Sequence, residues 1–225
     1  MPDALTANLE AVRRTTARSA ERAGRDPAAI TLVAVTKTVA VAPIRDAIGL
    51  GLKTFGENRV QEAMPKIEAI GTGDASWHLI GHLQTNKVKF IEGRFAMVQS
   101  IDRLDLVEAL DRRLGSPLDV LIEVNVAEEP QKTGALPADL PAIADAAHAA
   151  RHLRLRGLMT IAPAVSDAEQ VRPVFQRLRM LRDENSQRLG APLPVLSMGM
   201  TEDYPIAVEE GATMLRLGRA LFGPR

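Results

Sequence analysis

Short apolar runs alternate with longer amphipathic segments along most of the chain. The runs are four to eight residues long and rich in Val, Leu, Ile and Ala, which is typical of strands buried on both faces of a parallel sheet. We predict strands at 31–35, 53–58, 77–82, 95–100, 119–125, 153–160, 194–197 and 213–217. The intervening segments carry apolar residues at helical spacing. We predict helices at 42–50, from about 59 to 70, from about 83, and at 104–110, 140–150 and 167–188, with a short helix between the last two strands.

Strands that alternate with helices in this way predict parallel crossover units and an α/β fold. A chain of 225 residues can close such units into a single (β/α)8 barrel of the TIM-barrel type. A doubly wound open sheet is the alternative. Before the first strand, Leu5, Leu9 and Val12 lie at helical spacing. We therefore expect one domain over residues 1–225, whose first 25 residues form a helix that packs on the barrel.

The composition narrows the classes of function. Apolar residues make up 46% of the chain but aromatic residues only 3%, so the core is aliphatic. Basic and acidic residues balance at 28 each, so no overall field favours nucleic acid or an anionic membrane as a partner. The absence of cysteine excludes disulfides, thiolate metal sites and cysteine nucleophiles. Because the first residues lack a signal-peptide pattern and no apolar run is long enough to span a bilayer, we expect a cytoplasmic protein.

Lys37 is the most informative single residue of the sequence. It follows directly after the apolar strand at 31–35, and the chain has only six lysines among its 28 basic residues. Burial disfavours a charged ammonium, and a neutral amine is what must attack an aldehyde to form a Schiff base. A strand-end lysine whose ammonium reaches water is the commoner arrangement in proteins. The placement of Lys37 nevertheless makes it a candidate nucleophile.

Polar residues also end the other predicted strands. In a barrel these carboxyl ends converge on the face that carries the active site. In chain order the candidates are Lys37, Asn58, His82, Ser100, Asn125, Thr160, Ser197 and Arg216. His78 and His82 lack a third metal ligand nearby, so no metal site is predicted.

Two turns near the end of the chain place small residues before short helices. The first contains Ser197, Gly199 and Thr201, with Thr201 as a plausible N-cap, and the second contains Gly218 and Arg219. Barrels commonly bind phosphate with the loops after strands seven and eight. Ordinary turn chemistry is the alternative explanation for each turn alone. Both turns together, opposite Lys37, predict a phosphate site.

Several motifs at these positions resemble those of one known family. They are VAVTK ending at Lys37, FGENRVQE around Asn58, WHLIGHLQTNK, GLMT, LSMGMTEDY around Gly199, and LRLGRALFG around Gly218. In this order they resemble the pyridoxal phosphate homeostasis protein family, over about residues 32–223. That family is similar in fold to the barrel domain of alanine racemase and carries pyridoxal 5′-phosphate (PLP) on a lysine.

The resemblance implies a role for each matching residue. It makes Lys37 the Schiff-base lysine and puts Arg216 beside the pyridine nitrogen. It assigns the phosphate to Ser197 and to the backbone of the two turns, around Met198 and Gly199 and around Gly218 and Arg219. It makes Asn58 and Met200 part of the lining of the cup. The implied PLP-binding residues are Lys37, Asn58, Ser197, Met198, Gly199, Met200, Thr201, Arg216, Gly218 and Arg219. The chain has Arg219 where many members have Thr or Ser, and Thr201 where Ser is frequent.

Two classes of function fit these residues. The first is a carrier without catalytic residues that buffers PLP and delivers it, with apo PLP-dependent enzymes as recipients and a monomeric state expected. The second is an amino-acid racemase or a related PLP enzyme. Arg216 beside the ring nitrogen would weaken the cofactor as an electron sink. Racemisation needs acid–base groups on both faces of the substrate, whereas Tyr204 is the only tyrosine, and no residues after Arg225 could form a second domain. Together these features favour the carrier, although Arg216 alone does not decide, since racemases tolerate an arginine at that position. A Schiff-base aldolase acting on a phosphosugar is a third alternative.

Overall fold

The computed structural model describes residues 2–224, and within them eight parallel strands close into a barrel in which each strand pairs with its neighbours in the chain. The strands are β1 Thr31–Val35, β2 Thr54–Glu57, β3 Ser76–Leu79, β4 Met97–Ile101, β5 Leu118–Glu123, β6 Leu153–Met159, β7 Val195–Ser197 and β8 Met214–Leu217. Pairing of β1 with β8 completes the ring. The predicted (β/α)8 barrel is therefore confirmed, and the open-sheet alternative is wrong.

Helices connect the strands on the outside of the barrel. The α-helices are α1 Pro2–Arg22, α2 Val41–Gly49, α3 Val60–Ile70, α4 Leu104–Arg113, α5 Leu140–Ala149, α6 Arg172–Leu189, α7 Tyr204–Glu209 and α8 Arg219–Phe222. Short 3-10 helices cover Pro27–Ala29, Thr85–Phe90 and Ala168–Val171. The helix predicted from about residue 83 is thus a 3-10 helix. The third strand is shorter than predicted and ends at Leu79.

The apolar residues form two layers because side chains two apart along a strand point to the same face. Inside the barrel, Val33, Met97, Leu121, Met159 and Met214 pack together and fill its middle. The alternate residues face outward and pack against the helices. Phe55 and Trp77 belong to this outer layer, with ring centroids 5.5 Å apart.

Helix α1 packs against the short helices α7 and α8. Leu5, Leu9 and Val12 are buried in the outer core layer, which confirms the amphipathic pattern predicted for this segment. The side-chain amide of Asn8 donates to the carbonyl of Leu221 at 2.9 Å. Within residues 2–224 no helix is both long enough and apolar enough to cross a membrane.

Candidate functional site

A cavity of about 760 Å³ lies at the carboxyl end of the barrel, and residues that follow β1, β2, β3, β5, β6, β7 and β8 contribute to its walls. Seven of the predicted site residues line it: Lys37, Asn58, Met200, Thr201, Arg216, Gly218 and Arg219. Ser197, Met198 and Gly199 are buried and lie outside this lining. The topology thus brings together residues that are up to 182 positions apart, from Lys37 to Arg219.

Lys37 lies in a tight turn directly after β1. The next residue, Thr38, has a φ of +64°, which is rare for a residue other than glycine. The turn is closed by the amide of Val39, which donates to the carbonyl of Thr36 at 2.9 Å. Lys37 is half-buried, and within the described part of the chain no side chain or carbonyl forms a hydrogen bond or ion pair with its Nζ. The amine therefore reaches the cavity without a partner.

Arg216 is a buried cation at the cavity. Its side chain donates to Ser197 Oγ and to the Thr160 carbonyl, both at 2.8 Å. Desolvation lowers the pKa of Arg216 to about 10, opposed by the carboxylates of Glu123 and Asp203. Arg216 consequently remains protonated at neutral pH.

The Ser197 hydroxyl, which the resemblance implied as a phosphate contact, belongs to a hydrogen-bonded chain inside the barrel. It donates to Gln99 Oε1 at 2.6 Å and accepts from Arg216. Gln99 in turn contacts His78 Nδ1 through Nε2 at 2.9 Å. Ser197 therefore touches the cavity only indirectly, by holding the guanidinium of Arg216.

In the turn after β7, two backbone amides already donate to acceptors within the protein. The amide of Met198 donates to the Met214 carbonyl at 3.1 Å, and the amide of Met200 donates to Asp203 Oδ1 at 2.6 Å. Gly199 has a φ of +92°, and a Cβ there would lie 2.6 Å from the Cβ of Ala207. These backbone groups are thus used to build and pack the turn.

The position of Thr201 differs from the prediction. Helix α7 begins at Tyr204 with Asp203 as its N-cap residue, so the predicted N-cap role of Thr201 on this helix is wrong. Instead, Thr201 Oγ1 accepts from the amide of Ala220 at 3.2 Å, in the first turn of α8. The reason is long-range, since closure of the barrel brings the turn after β7 against the helix after β8.

Arg219 adds a second cation at the same wall. Its guanidinium contacts Glu202 Oε1 at 3.1 Å, and both side chains are largely exposed. Its backbone N–H is in the first turn of α8 and so has no acceptor within the helix. Thr201, Gly218 and Arg219 together place a hydroxyl, a backbone position without a side chain and a cation at one end of the cavity.

Two parts of the cavity were not predicted from the sequence. One is Lys132, in the loop after β5, which pairs with Glu129 and lies 3.5 Å from the carbonyl of Ile161. The other is the segment at 161–166 after β6, which forms an apolar wall. Lys132 belonged to the small set of lysines, but nothing in the local sequence indicates that its loop folds over the barrel.

The cavity lining fits a phosphorylated aldehyde. Four cationic side chains line it, those of Lys37, Lys132, Arg216 and Arg219, against the carboxylates of Glu202 and Asp203. Burial raises the pKa of Asp203, whereas a backbone hydrogen bond from Met200 and the charge of Arg216 lower it. The excess of cations favours an anionic ligand, and the unpartnered amine of Lys37 can condense with a carbonyl.

Comparisons with known proteins agree with this geometry. A family model described as alanine racemase, N-terminal domain, matches residues 2–225. The pyridoxal phosphate homeostasis protein of Aquifex aeolicus is 44% identical over 211 residues, which is 92% of each chain. The structure of PipY from Synechococcus elongatus with PLP bound has a TM-score of 0.85 at 35% identity and covers 97% of this chain and 100% of PipY.

A more distant structure shares the fold alone. Alanine racemase from Corynebacterium glutamicum has a TM-score of 0.70 at 19% identity. The match covers 96% of this chain but 62% of the racemase. At 19% identity the likeness concerns the fold and not the chemistry of the site.

Proposed function

The chain belongs to the pyridoxal phosphate homeostasis protein family, within the group described as alanine racemase, N-terminal domain, and from this membership we propose that it binds PLP in the barrel cavity and stores, buffers and delivers it. The observation that carries the proposal is the unpartnered amine of Lys37 in a cavity whose charged side chains are mostly cationic. The PLP-bound structure of PipY supports the choice of ligand.

Lys37 is the residue that would hold the cofactor covalently. PLP supplies an aldehyde with which a primary amine condenses reversibly, releasing water. Lys37 is suited to this because its amine has no internal partner that would have to be displaced. A Schiff base that hydrolyses or exchanges with another amine gives a carrier a bond that is tight and yet reversible.

The wall formed by the turns after β7 and β8 would bind the phosphate. The hydroxyl of Thr201, the backbone of Gly218 and the N–H and guanidinium of Arg219 are donors at this end. Ser197, Met198 and Gly199 would contribute by shaping the turn, and Asn58 and Met200 would line the ring. Charge-assisted hydrogen bonds are worth about 1.5–3 kcal/mol each, so PLP should bind much more tightly than pyridoxal.

Arg216 favours a carrier over a catalyst. A guanidinium has donors but no acceptor, so beside the pyridine nitrogen it would donate a hydrogen bond and keep that nitrogen unprotonated. An unprotonated ring is a weaker electron sink for carbanion chemistry. The only tyrosine, Tyr204, is buried at the start of α7 and is not part of the cavity lining, so it is not placed as an acid or base.

Cellular context follows from the same proposal. We expect a cytoplasmic monomer whose partners are PLP and apo PLP-dependent enzymes, which would receive the cofactor by direct or indirect transfer. Neither nucleic acid nor a membrane is an expected partner, in keeping with the balanced charge.

Incubation of the PLP-loaded protein with single L- and D-amino acids tests the carrier proposal. We expect no sustained racemisation or elimination, because Tyr204 is not part of the cavity lining and Arg216 would keep the ring nitrogen unprotonated. Activation of an apo PLP-dependent enzyme added to the loaded protein is the positive readout. Sustained turnover that disappears in Lys37→Ala would instead identify a racemase-like enzyme.

A further inference from the structure

A buried ion pair lies directly behind Lys37, on the outer side of the barrel wall. Lys66 Nζ, from α3, is 2.7 Å from Glu57 Oε1 at the end of β2. The side chains of Lys66 and Glu57 are 11% and 0% exposed. Glu57 faces outward like Phe55, two residues earlier, and so belongs to the layer between barrel and helices. The pair therefore does not touch the cavity.

Both members of this pair bind Thr36, the residue before Lys37. Lys66 Nζ donates to the Thr36 carbonyl at 2.7 Å, and Thr36 Oγ1 donates to Glu57 Oε1 at 2.5 Å. The Thr36 amide donates to the carbonyl of Gly56 at 2.9 Å. Every polar group of Thr36 is thus engaged, and Thr36 itself is fully buried.

Stability alone does not explain an ion pair at this position. Removing two charges from water costs about as much as their attraction returns, and apolar replacements are often neutral or stabilising. The neighbouring inward positions of α3 are apolar, namely Val60, Ala63 and Ile67. Glu57 Oε2 is also buried without a hydrogen-bond partner, which adds a further cost.

The contacts of the pair converge on the backbone that carries Lys37. The Thr36 carbonyl belongs to the peptide bond whose nitrogen is that of Lys37, so an ammonium on this oxygen fixes the orientation of that peptide plane. On the other side, Thr38 adopts a φ of +64°, which surrounding structure must impose. Within residues 2–224, Lys37 Nζ forms no hydrogen bond or ion pair, so the direction of this side chain depends on the backbone that carries it.

We propose that Glu57 and Lys66 are positioning residues that hold the backbone at Thr36 so that the Lys37 amine meets the aldehyde of the bound ligand. The inference rests on the proposed function. In the step concerned, the neutral amine adds to the aldehyde carbon, and the aldehyde oxygen leaves as water. A displaced backbone would misplace the attacking nitrogen without changing the ring and phosphate contacts.

The test compares two ligands on one variant. Glu57→Gln/Lys66→Met keeps the volume of the pair, removes both charges and withdraws the ammonium from the Thr36 carbonyl. PLP can bond to Lys37, whereas pyridoxine 5′-phosphate has an alcohol in place of the aldehyde and reports ring and phosphate contacts alone. We expect affinity for PLP to fall about 10-fold or more, with affinity for pyridoxine 5′-phosphate unchanged. Lys53→Met, which replaces an exposed lysine outside the cavity lining, is the control and should leave both affinities unchanged.

The outcomes separate this inference from the proposed function. Equal losses for the two ligands, or no loss for either, would overturn the positioning role while the wild type still forms its bond to Lys37. A wild type that binds the two ligands equally and gives no borohydride-reducible adduct on Lys37 would overturn both. If the double variant does not fold, Lys66→Gln, which replaces the ammonium by a neutral amide donor, is subjected to the same comparison.

Discussion

At the scale of single residues, a chain of hydrogen bonds inside the barrel holds the side chain of Arg216 at the wall of the cavity. Gln99 Oε1 accepts from Ser197, so its Nε2 is the donor towards His78 Nδ1. That leaves the proton of a neutral His78 on Nε2, which faces Ser76 Oγ at 3.4 Å. The chain runs from His78 to Arg216 and requires the histidine to be neutral.

His78 gives this chain a pH dependence. Burial lowers the pKa of His78 to about 4 from 6.5, opposed by the charge of Asp119. Since the folded pKa lies below the unfolded one, the stability that depends on neutral His78 is present above pH 6.5 and is lost as the pH falls towards 4. The shift corresponds to about 3 kcal/mol across this window. His78→Asn, whose side-chain oxygen can replace Nδ1 as an acceptor, should remove this loss.

The measurement is urea unfolding of wild type and His78→Asn between pH 4 and 7. Burial raises the pKa values of Glu123 and Asp203. In both proteins these two carboxyl groups therefore make the free energy of unfolding fall as the pH rises, which is opposite to the effect of His78. The difference between the two curves therefore isolates the histidine. Parallel curves would mean that His78 is not held neutral by its surroundings.

Residue types at strand ends predicted part of the site, because parallel strands of a barrel must bring their carboxyl ends together. Three of the eight strand-end candidates, Lys37, Asn58 and Arg216, line the cavity, whereas the other five do not, namely His82, Ser100, Asn125, Thr160 and Ser197. The indirect place of Ser197 was not predictable, since its partners come from β4 and β8 and sequence distance carries no information about them. Lys132 was not predicted because nothing in the local sequence indicates that its loop folds over the barrel.

At the scale of elements, β6 and β7 meet at a glycine. A Cβ added to Gly157 would lie 1.9 Å from the carbonyl oxygen of Val195, and the register of β5 against β6 shifts next to it. The contact is with backbone, so no side-chain movement could relieve it. Only a residue without a side chain permits this approach of the two strands.

Gly157→Ala should therefore destabilise the barrel strongly, by about 4 kcal/mol or more, because β7 would have to move. Gly73→Ala is the matched control, because a Cβ there has nothing within 4 Å. Thermal unfolding followed by circular dichroism gives the comparison. Similar melting temperatures for the two variants would contradict the close approach of β6 and β7.

The limits of helices and strands were predictable to within a few residues where the apolar period was long and clear. The exceptions have physical causes. The third strand ends early at Leu79 and then runs close to β2, where a Cβ at Gly81 would lie 2.4 Å from the carbonyl oxygen of Asn58. The segment Thr85–Phe90 has the polar and apolar order of a helix but is a single short 3-10 stretch.

At the scale of the whole molecule, α1 is attached to the end of the barrel chain by buried leucines and by an arginine that follows it. Arg25 donates to the carbonyls of Val208 at 2.5 Å and Ala212 at 2.8 Å. A cation at the carboxyl end of α7 also complements the helix dipole. We propose that α1 and the barrel form one domain that unfolds as a unit.

Arg25→Met tests this attachment. Loss of two charge-assisted hydrogen bonds at a partly exposed site should lower the free energy of unfolding by about 2 kcal/mol, within a single transition. Arg14→Met is the control, because among the described residues the only interaction of the Arg14 side chain is an exposed pair with Glu10 at 3.6 Å, and its loss should change stability by less than about 0.5 kcal/mol. Two separate transitions in urea would show that α1 unfolds independently of the barrel.

The central claim is that Lys37 holds PLP, and borohydride reduction of the PLP-loaded protein followed by peptide mass analysis tests it most directly. The account predicts one reduced pyridoxyl group, on the peptide containing Lys37, and none in Lys37→Ala that has been loaded and reduced in the same way. An adduct on another of the six lysines of the wild type, with Lys37 unmodified, would contradict the account.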